Sequence, residues 1–267
     1  MNNIIDYWKE EFDKVSDTSL VTDTTAVTDR SAVLSAPASR RRRDRNQPAR
    51  NGKGDYYSHI DGILLGNDGT DTEMRLVKAG DYNELYTGGN INELSSEVIT
   101  INNAKIQADL QAVADRSSTP NADGEYQEHQ IYLTLDRSTA TISSMFGPAG
   151  TPNRTRIEAD YSPATRVYIV GQPPLILIGQ VHGHPPAPQG EITLRTMSDY
   201  DAETSADFNI PIYGIDAMDG PTRGRQAAIH RVTPDGRITH NVGRTSRGFD
   251  IGRDAMLIFG RRTLTRQ

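Results

Sequence analysis

Apolar residues divide the chain into a short helical segment, a polar stretch and a long region of strand-like runs. Residues at helical spacing near the start predict an amphipathic helix over 1–17: Ile4, Ile5, Trp8, Phe12 and Val15. The stretch that follows, 18–54, is rich in Thr, Ser, Ala and Asp and contains no aromatic residue. Because such a segment cannot bury enough apolar surface to offset its conformational entropy, we predict a disordered linker.

From Tyr56 onward, short runs of β-forming residues alternate with turn signals. The first group includes SHIDGILLG, MRLVKAGD and NELYTGG and predicts a small β-hairpin module over 55–100. Apolar residues then recur at helical spacing over about 101–117. There, Ile106, Leu110 and Val113 predict a helix that ends at SSTPNADG.

The remainder of the chain consists of further strand-like runs with one more helical segment. The runs are YQEHQIYLTLD, TATISSMFG, TRVYIVG, PLILIGQVHGH, IPIYGID, AAIHRVTPDGRITHNVG and AMLIFGRR, and TPDG is typical of a hairpin turn. The segment MSDYDAETSADF predicts a helix, because Ser198 is placed to cap it and Asp199 and Asp201 lie in its first turn. These elements predict an α+β or α/β domain over 101–267.

Composition removes several classes of function. The 267 residues include no cysteine, which excludes disulfides, thiolate catalysis and cysteine-ligated metal sites, so any metal must bind His, Asp or Glu. No window approaches the roughly 18 consecutive apolar residues of a membrane helix, and the N-terminus lacks the layout of a secretory signal. We therefore expect a protein without membrane spans that is cytoplasmic or is exported without a signal peptide.

The stretch PLILIGQVHGHPPAP carries the most informative chemistry. A continuous apolar strand from Leu175 to Ile178 leads into His182 and His184. Side chains two apart on an extended segment point to the same side, so both imidazoles can bind one ion. The prolines that begin at Pro185 end the strand and place the pair at its rim. Zinc would take these two nitrogens and one carboxylate, which leaves a fourth position for water.

A second motif follows downstream, at Ser198-Asp199-Tyr200-Asp201. By itself it is typical of a helix capping box. The order His182-x-His184-Pro, Ser198-x-x-Asp201 and then the strand 210–215 resembles the JAMM (MPN-type) zinc metalloprotease signature. The resemblance implies a cytidine-deaminase-like, three-layer domain with a central mixed sheet. It also implies that His182, His184 and Asp201 bind zinc and that Ser198 helps to hold the oxyanion.

The same resemblance implies a glutamate general base near the start of an earlier hairpin. Glu128 fits best, because Ile131, Leu133 and Leu135 then lie on the core face while Glu128 shares the other face with Gln130 and Tyr132. Glu125 directly follows the NADG turn and is the alternative. Two departures from the family pattern are a long gap between His184 and Ser198 and the lack of glycines after the glutamate.

Two other interpretations stay open. A cupin-like protein would bind metal through His182, His184 and Glu191, with His240 on a second motif, although both spacings deviate. Replacing Asp201 by alanine would abolish metal binding in a JAMM-like site and leave it intact in a cupin-like one. A non-catalytic MPN-type scaffold would keep the fold and hold no stoichiometric zinc.

Charge and layout indicate the partners. The formal net charge is −6, and the one basic run, from Arg40 to Arg45, lies in the predicted linker without aromatic residues for stacking. This charge pattern disfavours nucleic acid, and the resemblance to the JAMM family implies a protein or peptide substrate. The N-terminal helix is placed to dock on a partner. The layout of leader, β-module and terminal hydrolase also resembles a secreted bacterial effector or polymorphic toxin, or a self-processing protease.

Overall fold

The computed structural model describes residues 54–67, 73–78, 91, 94–186, 197–217, 227–245 and 249–261. The predicted N-terminal helix and the predicted linker up to residue 53 lie outside these ranges. So does Glu191, together with most of the loop between the histidine pair and Ser198. Among the described helices, none has the length and apolar character needed to cross a membrane.

A small sheet occupies the region of the predicted β-hairpin module. It has the strands β1 (Asp55–Ser58), β2 (Leu64–Asn67), β3 (Met74–Val77) and β4 (Ser96–Val98), in the order β2-β1-β3-β4. β1 and β3 pair in parallel, so the sheet is more than a chain of hairpins. Tyr57, Met74 and Leu76 are buried in the same core as the large sheet that follows. The small sheet and the rest of the chain therefore share apolar contacts.

The large sheet is mixed. Its strands are β5 (Thr100–Ile101), β6 (Gln130–Asp136), β7 (Thr141–Phe146), β8 (Asp160–Ser162), β9 (Val167–Val170), β10 (Leu175–His184), β11 (Ile212–Asp216), β12 (Ala228–Val232) and β13 (Ile238–Arg244). They follow the order β13-β12-β11-β10-β6-β7-β5, and the β8–β9 pair joins the start of β10. The β10–β11 and β5–β7 pairs are parallel and the other pairs are antiparallel. The predicted mixture of helices and a mixed sheet is confirmed.

Within the described residues, three helices pack on this sheet: α1 (Asn103–Ser117), α2 (Asp199–Phe208) and α3 (Ile251–Gly260). The first two lie where the sequence predicted helices. The third is a correction, because the run AMLIFGRR was predicted as a strand. Its buried residues are Ile251, Gly252, Ala255, Met256, Phe259 and Gly260, a helical spacing that packs one face of α3 on the core. Asp250 caps this helix by accepting a hydrogen bond from the Arg253 N–H.

The strand β10 lies in the middle of the large sheet and meets α1 and α3 on one face. A Cβ atom added at Gly179 would lie 3.4 Å from the Cβ of Ala255 in α3. One added at Gly183 would lie 2.8 Å from the Cβ of Ser117 in α1. Gln180, His182 and His184 alternate with these glycines along the strand and therefore face the opposite side, where α2 packs on the neighbouring strands β11 and β12.

Candidate metal centre

Three side chains with metal-binding atoms converge at the carboxyl end of β10. The Nε2 atoms of His182 and His184 lie 2.9 Å apart, and Asp201 Oδ1 lies 3.4 Å from His182 Nε2. One potential ligand atom from each residue lies within 4.8 Å of the other two, and all three residues are buried. Since the histidine separation is less than twice a Zn–N bond of about 2.1 Å, one ion can contact both nitrogens. Two imidazoles and one carboxylate are a donor set that suits zinc.

A β-bulge decides which face the histidines occupy. Leu177 pairs with Thr134 of β6 and Gly179 pairs with Leu133, so one extra residue, Ile178, is inserted between them. A shift of one residue turns every later side chain of a strand to the other face. Without the extra residue, His182 would point toward α1 and α3. The bulge therefore directs both imidazoles toward α2.

The first turn of α2 orients the third side chain. Ser198 is the N-cap, and its hydroxyl accepts a hydrogen bond from the Asp201 N–H. Asp201 Oδ2 in turn accepts from the Ser198 N–H and from the Ser198 hydroxyl, both at 2.7 Å. The predicted capping box is thus confirmed. It fixes one carboxylate oxygen and leaves Oδ1 facing His182.

Electrostatics favour the protonation states of His182 and Asp201 that bind a cation. Burial lowers the pKa of His182, and the neighbouring His184 adds to this effect while Asp201 opposes it. Burial also opposes ionisation of Asp201, but His182 and the Ser198 hydrogen bonds lower its pKa below the usual value. Neutral imidazole and ionised carboxylate are the forms that bind metal.

The structure separates the two candidate glutamates. Glu128 is buried, whereas Glu125 is exposed on the preceding turn. The carboxylate of Glu128 accepts a hydrogen bond from the Thr155 backbone, and burial together with the Asp201 charge raises its pKa to about 8. Glu128 lies just before the start of β6, and its neighbour His129 accepts a hydrogen bond at its carbonyl from the Gly183 N–H, between the two histidines of β10. The buried Glu128, and not the exposed Glu125, therefore lies close enough to Asp201 to feel its charge.

Asp216 and His230 lie behind His184 and escaped the sequence analysis. The Asn241 N–H donates to His230 Nδ1, so His230 carries its proton on Nε2 and donates it to Asp216 Oδ2 at 3.1 Å. Asp216 Oδ1 lies 3.9 Å from His184 Nδ1, too far for a hydrogen bond. Burial opposes ionisation of Asp216, but the two histidines lower its pKa below the usual value. This carboxylate is placed to orient a metal-bound His184.

Gly214 leaves room for the imidazole of His184. A Cβ atom there would lie 2.6 Å from His184 Cε1 and 2.8 Å from Met197 Sδ. Atoms of this kind do not approach so closely, so any larger residue would displace the histidine or the methionine.

Two buried glutamines were also missed, although each interrupts an apolar strand. Gln180 Nε2 donates to Gln130 Oε1 and to Thr155 Oγ1. Gln130 Nε2 donates to the carbonyls of Pro148 and Arg156. The pair thus fastens the loop 147–159, whose residues also hold Glu128. Two uncharged polar residues inside strand-like runs were the signal that could have indicated them.

The remaining predicted residues, His240, Glu191 and the run Arg40–Arg45, are not brought to the candidate centre by the described part of the structure. His240 is exposed on β13, which two strands, β12 and β11, separate from β10, and no group of described residues brings it together with His182 and His184. Its ring contacts that of His230, with centroids 5.5 Å apart. Glu191 and the run Arg40–Arg45 lie outside the described residues.

Comparison of the chain with protein-family models, with curated proteins and with solved structures gives no match.

Proposed function

We propose that this protein is a zinc-dependent hydrolase that resembles the JAMM metalloproteases and cleaves a peptide or isopeptide bond. The observation that carries the proposal is the convergence of His182, His184 and Asp201 on one buried point, with the buried carboxylate of Glu128 close to Asp201. Exposed clusters of acidic side chains are common on protein surfaces without a bound metal ion. A buried trio with an additional buried acid is typical of a site that works on a substrate.

The three ligands would hold zinc and leave part of its coordination shell open. When bound, zinc supplies a more acidic water and polarises the carbonyl of the substrate. Asp216 would keep the His184 ring in the orientation that presents Nε2. The Ser198 hydrogen bonds would do the same for the Asp201 carboxylate.

Glu128 would transfer a proton from the attacking water to the leaving amine. Its raised pKa means that the carboxyl group holds a proton near neutral pH when no cation lies beside it. A divalent cation at the trio would favour the ionised form, which can accept a proton from the attacking water. The resulting carboxylic acid would then donate that proton to the leaving amine.

Ser198 has a defined role in orienting Asp201, because its hydroxyl donates to Asp201 Oδ2. Contact with the oxyanion, as the family resemblance implies, would require this hydroxyl to rotate away from the carboxylate. We therefore assign Ser198 first as a positioning residue and propose the oxyanion contact as its additional role.

The order of elements also supports a JAMM-like, three-layer domain. A helix (α1) precedes the β6–β7 hairpin that follows Glu128, β10 carries the histidines, α2 carries the serine and aspartate, and the parallel strand β11 follows. Action on a protein or peptide as a cytoplasmic enzyme or an exported effector is the biological setting that we propose for this chemistry.

The proposal is tested with the full chain, loaded with one equivalent of zinc and incubated with mixed peptides and with a lysine-linked isopeptide. We expect cleavage that a chelator abolishes and zinc restores. Glu128→Gln should lower kcat at least about a hundredfold while zinc content is retained, as expected for a general base. Glu125→Gln is the matched control and should keep full activity. Stoichiometric zinc without cleavage would instead identify a scaffold, and chelator-sensitive cleavage that survives in His182→Ala would refute the mechanism.

A further inference from the structure

A cavity of about 560 Å³ opens beside the candidate centre, between the loop 147–159 and the first turn of α2. Its wall includes Gly150, Thr151 and Thr155 from the loop and Tyr200 from the helix. Several of these residues also contact Glu128 or adjoin Asp201. The Gly150 N–H donates to the Glu128 carbonyl, the Thr151 carbonyl accepts from the Glu128 N–H, and Tyr200 precedes Asp201. A group bound in this cavity would therefore contact residues that hold Glu128 and the residue that precedes Asp201.

Cations line this cavity. Arg154 lies over the ring of Tyr200, with the guanidinium carbon 4.1 Å from the ring centroid. Arg156 is a second lining cation, and Glu158 is the one acidic residue among the lining residues. Within the described part of the chain, no carboxylate lies within ion-pair distance of Arg154 or Arg156. Stacking on Tyr200 fixes the plane of the Arg154 guanidinium and leaves its N–H edge available.

The loop that carries these cations is fastened to the sheet. Gln130 donates to the carbonyls of Pro148 and Arg156, and Gln180 donates to the Thr155 hydroxyl. Because both glutamines are buried, the loop is anchored on β10, which carries the two histidines, and on β6, which begins just after Glu128. The cavity is therefore preformed, and a ligand would not have to order the loop.

We propose that this cavity binds a carboxylate carried by the substrate residue next to the scissile bond. Arg154 provides the planar donor edge that suits a carboxylate, and the surplus of positive charge disfavours a basic residue. A second cavity of about 680 Å³ shares Arg156 and Glu158 with the first and continues along β9, which gives an extended peptide room beyond the carboxylate. The proposal rests on the hydrolase activity proposed above and names its substrate class: peptides with an acidic side chain or a free terminal carboxylate at this position.

The first arm of the test maps cleavage sites. The zinc-loaded full chain is incubated with a peptide library, and residues on both sides of each cleaved bond are identified by mass spectrometry. We expect enrichment of Asp or Glu at one position next to the bond. Arg154→Gln should lower kcat/KM for acidic peptides about three- to fivefold, the scale of one exposed ion pair. Arg154→Glu should reverse the preference toward Lys or Arg, and Arg154→Lys should retain a preference for acidic residues.

Arg237→Glu is the matched charge-reversal control, because Arg237 is exposed in the turn between β12 and β13. It should leave the preference unchanged. Cleavage without acidic enrichment, or enrichment that persists in Arg154→Glu, would overturn the inference and leave the hydrolase proposal standing. Library peptides with free or amidated C-termini distinguish a terminal carboxylate from an acidic side chain.

The second arm measures binding without turnover. N-acetylglutamate α-amide presents a side-chain carboxylate, N-acetylglutamine presents an α-carboxylate, and N-acetylglutamine amide is the neutral control. Titration of each into labelled full chain should shift the NMR signals of Arg154 and Tyr200 for at least one of the first two probes and not for the third. If neither the peptides nor the lysine-linked isopeptide is cleaved, the hydrolase proposal fails. In that case the NMR shifts alone test whether the cavity binds a carboxylate. An equal response to all three probes, or a response to none, would overturn the proposed carboxylate site.

Discussion

Replacing Glu128 by glutamine should change how the stability of the zinc-free protein depends on pH. Burial and the Asp201 charge raise the pKa of Glu128 from its usual 4.5 to about 8. A group whose folded-state pKa lies above its unfolded value takes up a proton on folding. Its stabilising contribution is therefore fully present below pH 4.5 and is lost as the pH rises to about 8. At roughly 1.4 kcal/mol per pH unit, the wild type loses at most about 5 kcal/mol relative to Glu128→Gln over this interval.

The assay is urea unfolding of both proteins with a chelator present, repeated between about pH 5 and pH 8. The free energy of unfolding of Glu128→Gln minus that of the wild type should grow with pH by roughly 1 kcal/mol per unit. His182 also affects this range, since its lowered pKa costs stability as the pH falls, but it is present in both proteins and cancels in the difference. Glu125→Gln, at an exposed site, should follow the wild type. Parallel curves for Glu128→Gln and wild type would refute the argument that Glu128 is buried beside a negative charge.

Further predictions concern the residues that support the ligands. Gly214→Ala should displace His184 and lower zinc affinity more than about tenfold, measured by competition with a chelating dye. Gly179→Ala, in β10, is the control and should retain the zinc affinity. Ser198→Ala should cost about 1 kcal/mol of stability through the lost cap and about tenfold in zinc affinity, measured by thermal unfolding and by the same dye. Gln180→Met should keep zinc bound but lower kcat, because the loop behind the general base loses an anchor. Unchanged zinc affinity in Gly214→Ala, or unchanged kcat in Gln180→Met, would show that these contacts do not support the site.

Local patterns carried most of what the sequence predicted. The spacing of His182 and His184 on an extended segment placed both imidazoles on one side, and the structure confirms that convergence. The motif Ser198-x-x-Asp201 predicted a capping box, which is also confirmed. Both patterns depend on residues within four positions of one another, where backbone geometry alone decides the outcome.

The third helix shows where local patterns fail. A short apolar run such as AMLIF fits a buried strand as well as one face of a helix, so periodicity does not distinguish them. Tertiary packing decides the matter: Phe259 contacts Gly62, and Tyr57 packs against Gly260, so the small sheet covers this helix. Asp250 as a cap was the local signal that favoured a helix.

The supporting residues of the site depend on contacts between distant segments. Asp216 and His230 lie on different strands from His184, and their proximity follows from the pairing β10-β11-β12. Which of Glu125 and Glu128 is buried was likewise decided by the position of the loop 147–159. The bulge at Ile178 has only one local signal in LILIGQVHGH, the glycine that follows it at position 179, yet it selects the face on which the histidines lie.

Anomalous diffraction at the zinc absorption edge, from crystals of the zinc-loaded full chain, tests the central claim most directly. We predict one peak bonded to His182 Nε2, His184 Nε2 and Asp201 Oδ1, with the Glu128 carboxylate facing its open side. Crystals of Asp201→Ala prepared in the same way should lack the peak. Absence of zinc between these three residues in the wild type, or an undiminished peak in Asp201→Ala, would contradict the account.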